Sequence, residues 1–283
     1  MSHQAGSCSK ITLIIPIYNA FDCLPALLDS VQQLDPPPAQ VLLVEDASSD
    51  ARVRPWLQHY LQQHDLSWTL LLHSNNQGFV AAVNNAMRRT TEHCLLLNQD
   101  TICERRLLAK LMRALDSVPN VATITPFSNN GEIVSLPQFC QHNPVPADIE
   151  LLARACVEAG PPEYPELPTA VGFCMLITQV AIQQLGYFDL HRFGHGYGEE
   201  NDYSCRASAA GMRNILCDDA YVAHIGNQSF IDLGMQPNAN ALQQVLEIYP
   251  DYLQRVQQFI AADPLRSRRD VIISKYQQML ANP

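Results

Sequence analysis

The chain alternates short apolar runs, rich in β-branched residues, with segments whose apolar residues recur at helical spacing. The strand-like runs are ITLIIPI (11–17), VLLVED (41–46), TLLLH (69–73), CLLLNQD (94–100) and VATITP (121–126). Helices are predicted between them, beginning near Asp22, near Asp50, after the glycine of NNQGF and before Leu107. Strands that alternate with helices in this way predict an α/β fold with a mostly parallel central sheet, covered by helices on both faces.

Polar side chains follow each of these strands at its carboxyl end. They are Tyr18 and Asn19, Glu45 and Asp46, Asn75 and Asn76, Asn98 and Asp100, and Ser128 and Asn129. In parallel sheets of this kind, ligands bind in the crevice outside the carboxyl ends of the strands. Polar loop ends are common in any such fold, so one pair alone is weak evidence. Five in succession predict a ligand crevice.

The pattern changes after residue 127. A proline-rich piece and a short helix near 148–158 precede the strand-like VGFCMLIT (171–178), and NILCDDAYVAHIG (214–226) predicts two short strands. From about residue 237 the sequence is helical, with Leu242, Val245, Leu246 and Tyr249 on one stripe. We therefore predict a main domain over residues 1–235 and a C-terminal helical extension over 236–283.

Composition narrows the class of partner and the compartment. The chain has 18 Lys and Arg against 28 Asp and Glu, a net charge of -10, whereas binding a nucleic-acid backbone needs a basic face. No apolar run approaches a membrane span, and the first residues lack the apolar core of a signal peptide. Nine scattered cysteines without a CxxC pair fit reduced thiols and give no support to a zinc site. We expect a cytoplasmic protein that binds no nucleic acid.

The basic residues Arg266, Arg268 and Arg269 form a cluster in the predicted extension. The simplest interpretation is a solvated face. The alternative is contact with an anionic membrane surface, which would place the protein at the inner face of the membrane.

Several familiar nucleotide and hydrolase motifs are absent. The first strand ends in PIYNA, where a dinucleotide-binding domain would have GxGxxG. The chain also has no GxxxxGK[ST] phosphate loop and no GxSxG nucleophile elbow. These absences disfavour NAD enzymes, P-loop kinases and α/β-type serine hydrolases.

The fourth strand offers a candidate metal ligand. Asp100 follows a hydrophobic strand, and Asn98 lies two positions earlier, so both side chains point to the same side of an extended segment. One carboxylate together with diphosphate oxygens commonly holds Mg²⁺ or Mn²⁺. A strand-end aspartate that caps the next helix is at least as good an interpretation of Asp100 alone. His224 is a second candidate ligand, although a lone histidine after a short strand is more often structural.

The stretch GHGYGEENDY (194–203) puts three carboxylates into four positions at the start of a predicted helix. Glu199, Glu200 and Asp202 there complement the positive end of the helix dipole, which is one explanation. The other is that a glycine-hinged loop delivers a carboxylate base to a substrate.

Taken in order, these segments resemble glycosyltransferase family 2 on the GT-A fold, over about residues 11–230. IIPIYNA resembles the opening strand and nucleotide turn, VEDASSD the acidic motif of the second strand, and NNQGFVAAVN the glycine-led helix. NQD stands where the family has its metal-binding DxD, GEEND where it has its catalytic acidic pair, and VAHIGNQSF at the metal-histidine segment. TPFSNN, GYGEENDY and HIGNQSF are similar to a bacterial subset associated with polysaccharide assembly.

The resemblance implies a Rossmann-like nucleotide half, an acceptor half and a role for individual residues. The donor nucleotide would contact Pro16, Tyr18, Asn19, Asp46, Asn76, Gly78, Asn84, Asn98 and Gln99. Asp100 and His224 would hold Mn²⁺ or Mg²⁺. Glu200, as the second member of the acidic pair, would be the general base, with Glu199 or Asp202 as the alternatives. The acceptor side would include Glu199, Asp202, Asn129 and Asn130. Asp202 could instead form hydrogen bonds within the start of the helix. For Asn129 and Asn130 the alternative is an ordinary Asn-Asn-Gly turn before a strand at 133–136.

The implied reaction is inverting sugar transfer from a nucleoside-diphosphate sugar to an acceptor hydroxyl of a carbohydrate or lipid-linked glycan. Asn98 departs from the family pattern by replacing the first acid of the DxD motif. A sugar-phosphate nucleotidyltransferase would show a glycine- and arginine-rich loop in place of PIYNA. A non-catalytic sugar-binding or scaffold module of the same fold has only the NQD sequence in its favour. The sequence distinguishes neither the donor base and sugar nor the oligomeric state.

Overall fold

One mixed sheet of eight strands organises the part of the chain that the computed structural model describes, residues 9–194, 196–226 and 239–282. The strands are β1 (Ile11–Ile17), β2 (Gln40–Glu45), β3 (Thr69–Leu72), β4 (His93–Leu97), β5 (Thr101–Cys103), β6 (Val121–Phe127), β7 (Cys174–Ile177) and β8 (Arg213–His224). Their order across the sheet is β3-β2-β1-β4-β7-β6-β8-β5.

Helices cover both faces of this sheet. They are α1 (Leu24–Gln32), α2 (Val53–Gln63), α3 (Phe79–Met87), α4 (Leu107–Ser117), α5 (Ile149–Glu158), α6 (Gln179–Leu185), α7 (Leu190–Phe193), α8 (Glu199–Ala209), α9 (Ala239–Ile248), α10 (Tyr252–Ala262) and α11 (Arg266–Ala281). The first two begin two or three residues later than predicted, and a 3₁₀ turn over Phe21–Cys23 precedes α1. The predicted α/β architecture is confirmed.

Strand directions gather one set of strand ends at a single edge of the sheet. β1 runs parallel to β2 and β4, and β2 runs parallel to β3. β7 is antiparallel to both β4 and β6, and β6 is parallel to β8. The carboxyl ends of β1, β2, β3, β4, β6 and β8 therefore share an edge with the start of β7, and we call it the carboxyl edge.

Two predictions about strands beyond residue 127 are wrong. Residues 213–224 form one strand where two were predicted, because a register shift lets β8 continue past β6 and pair with β5. The predicted strand at 133–136 is a 3₁₀ turn over Glu132–Val134. Its backbone is satisfied within the loop, since Leu136 N–H donates to the Ser128 carbonyl and Gly131 N–H donates to Ser135 Oγ.

The C-terminal helices pack on both faces of the sheet. Val245 of α9 and Tyr252 of α10 belong to the core on the face that includes Ile14. Ile272 and Met279 of α11 belong to the core on the other face. The predicted boundary between residues 235 and 236 lies outside the described residues. No described helix is both long enough and apolar enough to span a bilayer.

The predicted solvated face of arginines is wrong for two of its three members. Arg269 is 5% exposed, pairs with Asp263 at 2.6 Å and lies over the ring of Phe139. Arg268 lies 3.0 Å from the carboxylate of Asp218, which is 1% exposed. Of the cluster, Arg266 alone is exposed. Because two of the guanidinium groups are committed to the protein's own carboxylates, the cluster gives no support to a membrane-binding role.

Replacing Arg268 with alanine is expected to lower the free energy of unfolding by about 3 kcal/mol, because the buried Asp218 carboxylate loses its countercharge. Denaturant unfolding of Arg268→Ala measures this change, and the exposed Arg266→Ala is the matched control, expected to change little. Equal effects of the two substitutions would contradict the importance of the buried ion pair.

Candidate active site at the carboxyl edge

The pairing of β5 with β8 brings the two candidate metal ligands together. Thr101 is the register partner of His224, and Ile225 N–H donates to the Asp100 carbonyl at 2.9 Å. As a result, Nε2 of His224 lies 3.4 Å from Oδ1 of Asp100. The Asp100 residue is 4% exposed and His224 is partly buried, so the pair is largely shielded from solvent.

The imidazole of His224 is held on two sides. Its Nδ1–H donates to the carbonyl of Asn130 at 2.7 Å, and its ring stacks on Phe173 with the centroids 5.3 Å apart. Donation from Nδ1 leaves Nε2, the nitrogen nearest Asp100, as the one that could bind a metal, which is the arrangement that metal-binding histidines commonly have. Burial opposes protonation of His224, but the hydrogen bond and charge of Asp100 outweigh it and raise the pKa of the imidazole.

This pair suits a cation that takes its other ligands from a phosphate. Neighbouring ligands of an octahedral ion at about 2.1 Å lie about 3 Å apart, close to the observed separation. No group of three or more His, Cys, Asp or Glu within the described ranges could hold a metal. Two protein ligands are too few for a structural zinc site, whereas Mg²⁺ and Mn²⁺ tolerate such a set.

The side chain of Asn129 is fully occupied by the protein. Its amide donates to the carbonyls of Asn143 and His224 at 3.0 and 2.9 Å. Its oxygen accepts from His224 N–H at 2.8 Å and from the Tyr221 hydroxyl at 3.3 Å. These four bonds use all of the amide's capacity, and the residue is 1% exposed. Contrary to the prediction, Asn129 has no group available for an acceptor and instead fixes the backbone of His224.

Asn130 stands at the rim of the same loop. Its carbonyl accepts from His224, its side chain lies against Gly226, and the residue is partly buried. Of the two asparagines predicted to contact an acceptor, Asn130 is the one that the fold leaves partly accessible.

On the nucleotide side, Asp46 organises a loop. Its buried carboxylate contacts His73 Nδ1 at 2.6 Å and accepts from the N–H groups of Gln77 and Gly78 at 3.0 and 2.8 Å. Gly78 begins α3 with φ +85°, a conformation that side-chain-bearing residues rarely adopt. The Asp46 carboxylate is thus turned toward the loop between β3 and α3. The sequence had predicted that this carboxylate contacts the nucleotide directly.

Two further predicted nucleotide contacts are buried amides that bind backbone. Asn84 is 1% exposed and exchanges both amide hydrogen bonds with Phe188, at 2.9 and 3.1 Å. Gln99 is 4% exposed and does the same with Tyr18, at 2.9 and 2.8 Å. These side chains replace backbone partners that the loops lack, and direct nucleotide contact by either residue stays a prediction.

Asn19 has a similar role in the turn after β1. Its side-chain oxygen accepts from Asp50 N–H at 3.0 Å and from the Ser49 hydroxyl at 3.2 Å. The residues of the predicted nucleotide set that remain at least partly accessible at the carboxyl edge are Pro16, Tyr18, Asn76, Gly78 and Asn98.

The two glutamates predicted as a catalytic pair occupy the first turn of α8. Glu199 is 6% exposed, and within the described parts of the chain its Oε2 has no hydrogen-bond partner. Glu200 is partly accessible and lies beside Gly172, where an added Cβ would be 3.9 Å from its Cγ. The residue after Gly172 is Phe173, which stacks on His224. The consecutive residues Gly172 and Phe173 therefore connect the surroundings of Glu200 with those of His224.

Burial changes the ionisation of both glutamates. It raises the pKa of Glu200 to about 7, and the charge of Glu132 adds to the rise. Burial, followed by repulsion from Glu200, raises the pKa of Glu199 well above its usual range. A carboxyl group that titrates near neutral pH can accept a proton from a substrate, while its protonated neighbour can donate a hydrogen bond.

Asp202 is committed to other partners. It is 4% exposed, accepts from Arg206 Nε at 2.8 Å and accepts from the Tyr249 hydroxyl at 3.0 Å. The predicted acceptor contact is thus not supported, and the alternative of bonding within the start of the helix describes its pairing with Arg206.

Sequence reasoning missed three residues that shape this site. Phe173 lies in the strand-like run VGFCMLIT and is buried, yet it also supports the ring of His224. Tyr221 and Tyr249 reach Asn129 and Asp202 through their hydroxyls, from a strand and from the C-terminal segment. The position of Phe173 directly after Gly172 could have indicated that it lies near the site. Nothing in the sequence around Tyr221 or Tyr249 indicates their contacts.

The sequence model described as glycosyl transferase family 2 matches residues 12–186. No curated protein sequence matches the chain. One similar solved structure is GalNAc-T7 with UDP, GalNAc and Mn²⁺, with a TM-score of 0.64 at 14% identity over 87% of this chain. This chain covers 50% of that protein, and so spans half its length.

Two further structures show the same fold. The mannosyltransferase PcManGT from Pyrobaculum calidifontis, in complex with GDP-Man and Mn²⁺, has a TM-score of 0.58 at 16% identity, covering 98% of this chain and 76% of that one. TarS 1-349 from S. aureus has a TM-score of 0.55 at 16% identity, covering 94% of this chain and 70% of that one. At these identities the likeness establishes the GT-A fold and no more.

The raised pKa of Glu200 predicts a pH-dependent stability difference. Its folded-state pKa of about 7 exceeds the value of about 4.3 for a free glutamate, so the folded state holds this proton more tightly. The resulting stabilisation is complete below about pH 4 and is lost as the pH rises through 7. Glu200→Gln is therefore expected to be more stable than the wild type at pH 8 by about 2 kcal/mol, with little difference near pH 4.

Denaturant unfolding of both proteins from pH 4 to pH 8.5 measures this difference. The exposed Glu247→Gln is the control, expected to track the wild type throughout. A Glu200→Gln difference that stays constant across this range would contradict the assigned ionisation.

Proposed function

Because the chain belongs to glycosyltransferase family 2, we propose that it transfers a sugar from a nucleoside-diphosphate sugar to an acceptor hydroxyl, with inversion and with Glu200 as general base. The family match ends at residue 186, before Glu200 and His224. The roles of these two residues therefore rest on their geometry.

One observation carries the proposal. Gly172 lies beside Glu200, the proposed base, and the next residue, Phe173, stacks on His224, a proposed metal ligand. A base and a metal-binding pair that share one wall can act on the two ends of one breaking bond. Glycosyl transfer from a nucleoside diphosphate needs this arrangement.

In the proposed reaction, the acceptor oxygen attacks the anomeric carbon while its proton passes to the Glu200 carboxylate. The bond from that carbon to the diphosphate oxygen breaks, and the electron pair leaves with the nucleoside diphosphate. A single displacement of this kind inverts the anomeric configuration. General-base assistance typically contributes about 10² to 10⁴ in rate. With a pKa of about 7, a substantial fraction of Glu200 is ionised at neutral pH.

Asp100 and His224 would hold a divalent cation, which supplies Lewis-acid neutralisation of the charge on the leaving diphosphate. Mn²⁺ is present in the solved structures of GalNAc-T7 and PcManGT. The Asp100–His224 pair of this chain fits such an ion, with Asn98 in the place of a second acid adding no charge.

Glu199 would orient the acceptor. Its carboxyl is buried, its pKa is well above the usual range, and Oε2 has no partner within the described residues. A protonated carboxyl in this state can donate a hydrogen bond to the acceptor. Asn130, at the rim, is the remaining acceptor-side candidate.

The acceptor class we propose is a glycan or lipid-linked glycan of bacterial polysaccharide assembly, acted on in the cytoplasm or at the inner face of the membrane. The support for it is the similarity of TPFSNN, GYGEENDY and HIGNQSF to that bacterial subset. Residues 227–230 of the last segment lie outside the described residues. For the donor, solved relatives contain UDP, GDP-Man and UDP-GlcNAc.

The paired glutamates weigh against a non-catalytic module of the same fold. Keeping two acids together in a buried first turn raises both pKa values and costs stability whenever they ionise. Arrangements that lower stability in a cleft are typical of functional sites. A scaffold would have no use for the pair.

The first experiment is a thermal-shift screen of UDP, GDP and dTDP and their sugars, with and without Mn²⁺. Ligand binding to the folded state is expected to raise the melting temperature for one nucleotide class, and more strongly with Mn²⁺. The absence of a response to every nucleotide would overturn the proposed function.

With the donor known, Glu200→Gln is expected to abolish transfer and to leave nucleotide binding nearly unchanged, because the amide cannot accept the acceptor's proton. Product formation and calorimetric nucleotide affinity are the two measurements. Glu247→Gln, an exposed substitution of the same chemistry, should retain full turnover. Undiminished transfer by Glu200→Gln would remove Glu200 from the role of base.

For the metal site, Asp100→Ala is expected to remove the Mn²⁺ dependence of nucleotide affinity, since only one protein ligand would remain. Titration calorimetry with Mn²⁺ and with chelator measures this dependence without any turnover. The exposed Asp116→Ala serves as the control and should keep the full Mn²⁺ effect. Persistence of that effect in Asp100→Ala would place the cation elsewhere.

A further inference from the structure

The N-cap residue of helix α8, which carries Glu200, is a glycine. This residue, Gly198, has φ +90° and no side chain that could bind the N–H groups of the first turn. Capping side chains normally fix the start of a helix. The position of Glu199 and Glu200 therefore depends on contacts from outside the helix.

The C-terminal helices supply such contacts. A Cβ at Gly198 would lie 3.0 Å from the ring of Phe193 and 3.2 Å from Cγ2 of Val245, so this glycine is enclosed between α7 and α9. Val245 is fully buried there. Glycine fits this narrow space, and its backbone is held on the C-terminal side by α9.

A second contact lies one turn into α8. The Tyr249 hydroxyl donates to Oδ1 of Asp202 at 3.0 Å, while Arg206 binds Oδ2 at 2.8 Å. The Asp202 N–H in turn donates to the Gly198 carbonyl at 2.9 Å. The tyrosine is thus connected through one carboxylate to the residues on either side of the glutamate pair.

A third contact joins α10 to the second turn of α8. Arg255 Nη2 donates to Cys205 Sγ at 3.2 Å, and Tyr252 belongs to the same core as Cys205. Val245 lies in α9, Tyr249 lies between α9 and α10, and Arg255 lies in α10. All three contact α8 or the glycine before it from one continuous segment.

We propose that the C-terminal helices α9 and α10 hold the first turn of α8, and with it Glu200, in its working position, and that Tyr249 is the positioning residue through which they do so. This inference rests on the proposed function of Glu200 as base. It assigns the C-terminal segment a part in catalysis. The family match ends at residue 186, far before this segment, and so gives no hint of such a part.

The expected size of the effect follows from the tolerance of the reaction. A displacement of about 1 Å in a reacting group can cost up to about 100-fold in rate. Tyr249→Phe keeps the ring and removes the hydroxyl, so the protein should fold while the first turn of α8 loosens. We expect kcat to fall about tenfold, with the KM for the donor unchanged because the nucleotide side is untouched.

The control is Tyr276→Phe, the same substitution in α11, where the tyrosine packs on the opposite face of the sheet. Hydrogen exchange over residues 198–203 is measured alongside kinetics and is expected to be faster in Tyr249→Phe than in Tyr276→Phe. A double variant with Asp202→Asn should lose no more rate than the larger of the two single losses, because both substitutions remove one contact.

The proposal would be overturned if Tyr249→Phe and Tyr276→Phe had the same kcat and the same exchange rates. It would also be overturned if both variants showed the same rise in KM with kcat unchanged. If the wild type transfers no sugar from any donor, the proposed function fails separately. Hydrogen exchange over residues 198–203 then tests the positioning role by itself. Unchanged protection of these residues in Tyr249→Phe would rule that role out.

Discussion

The pairing of a three-residue strand, β5, with the end of β8 is the interaction on which the candidate site depends. Without it, Asp100 would follow β4 into a loop and His224 would end a strand three positions away across the sheet. The register of Thr101 on His224 converts these separate strand ends into one pair of ligands 3.4 Å apart. Backbone hydrogen bonds thus set the distance between two residues that are far apart in the chain. No local sequence signal indicates that distance.

Around that pair, the fold uses polar side chains mainly to satisfy loop backbone. Asn84, Gln99 and Asn129 are buried amides with their hydrogen bonds made to main-chain groups. Loops that line a crevice cannot pair as strands do, yet their buried N–H and C=O groups need partners. The result is a rigid crevice wall that leaves only a few groups, such as Tyr18 and Asn98, facing outward.

The sequence predicts the architecture well because hydrophobic period and strand length are local properties. The five strand-like runs before residue 127 and the glutamates at the start of α8 are read directly from the residue pattern. What the sequence does not reveal is the direction of a polar side chain at a strand end. Asp46 and Asn129 have the composition of ligand contacts, but whether an amide or carboxylate faces a ligand or its own loop is decided by tertiary packing. β5 escapes prediction because three residues are too few to show a period.

The distribution of the C-terminal helices between the two faces of the sheet also bears on how the protein is made. Met279 packs in the same core as Ile11, so contacts between the two ends of the described chain close only after nearly all of it has been synthesised. On a ribosome, the central strands can pair early, while the helix carrying Glu200 waits for α9 and α10 to emerge. A nascent chain of this protein would therefore have its N-terminal strands paired before the first turn of α8 is held in place.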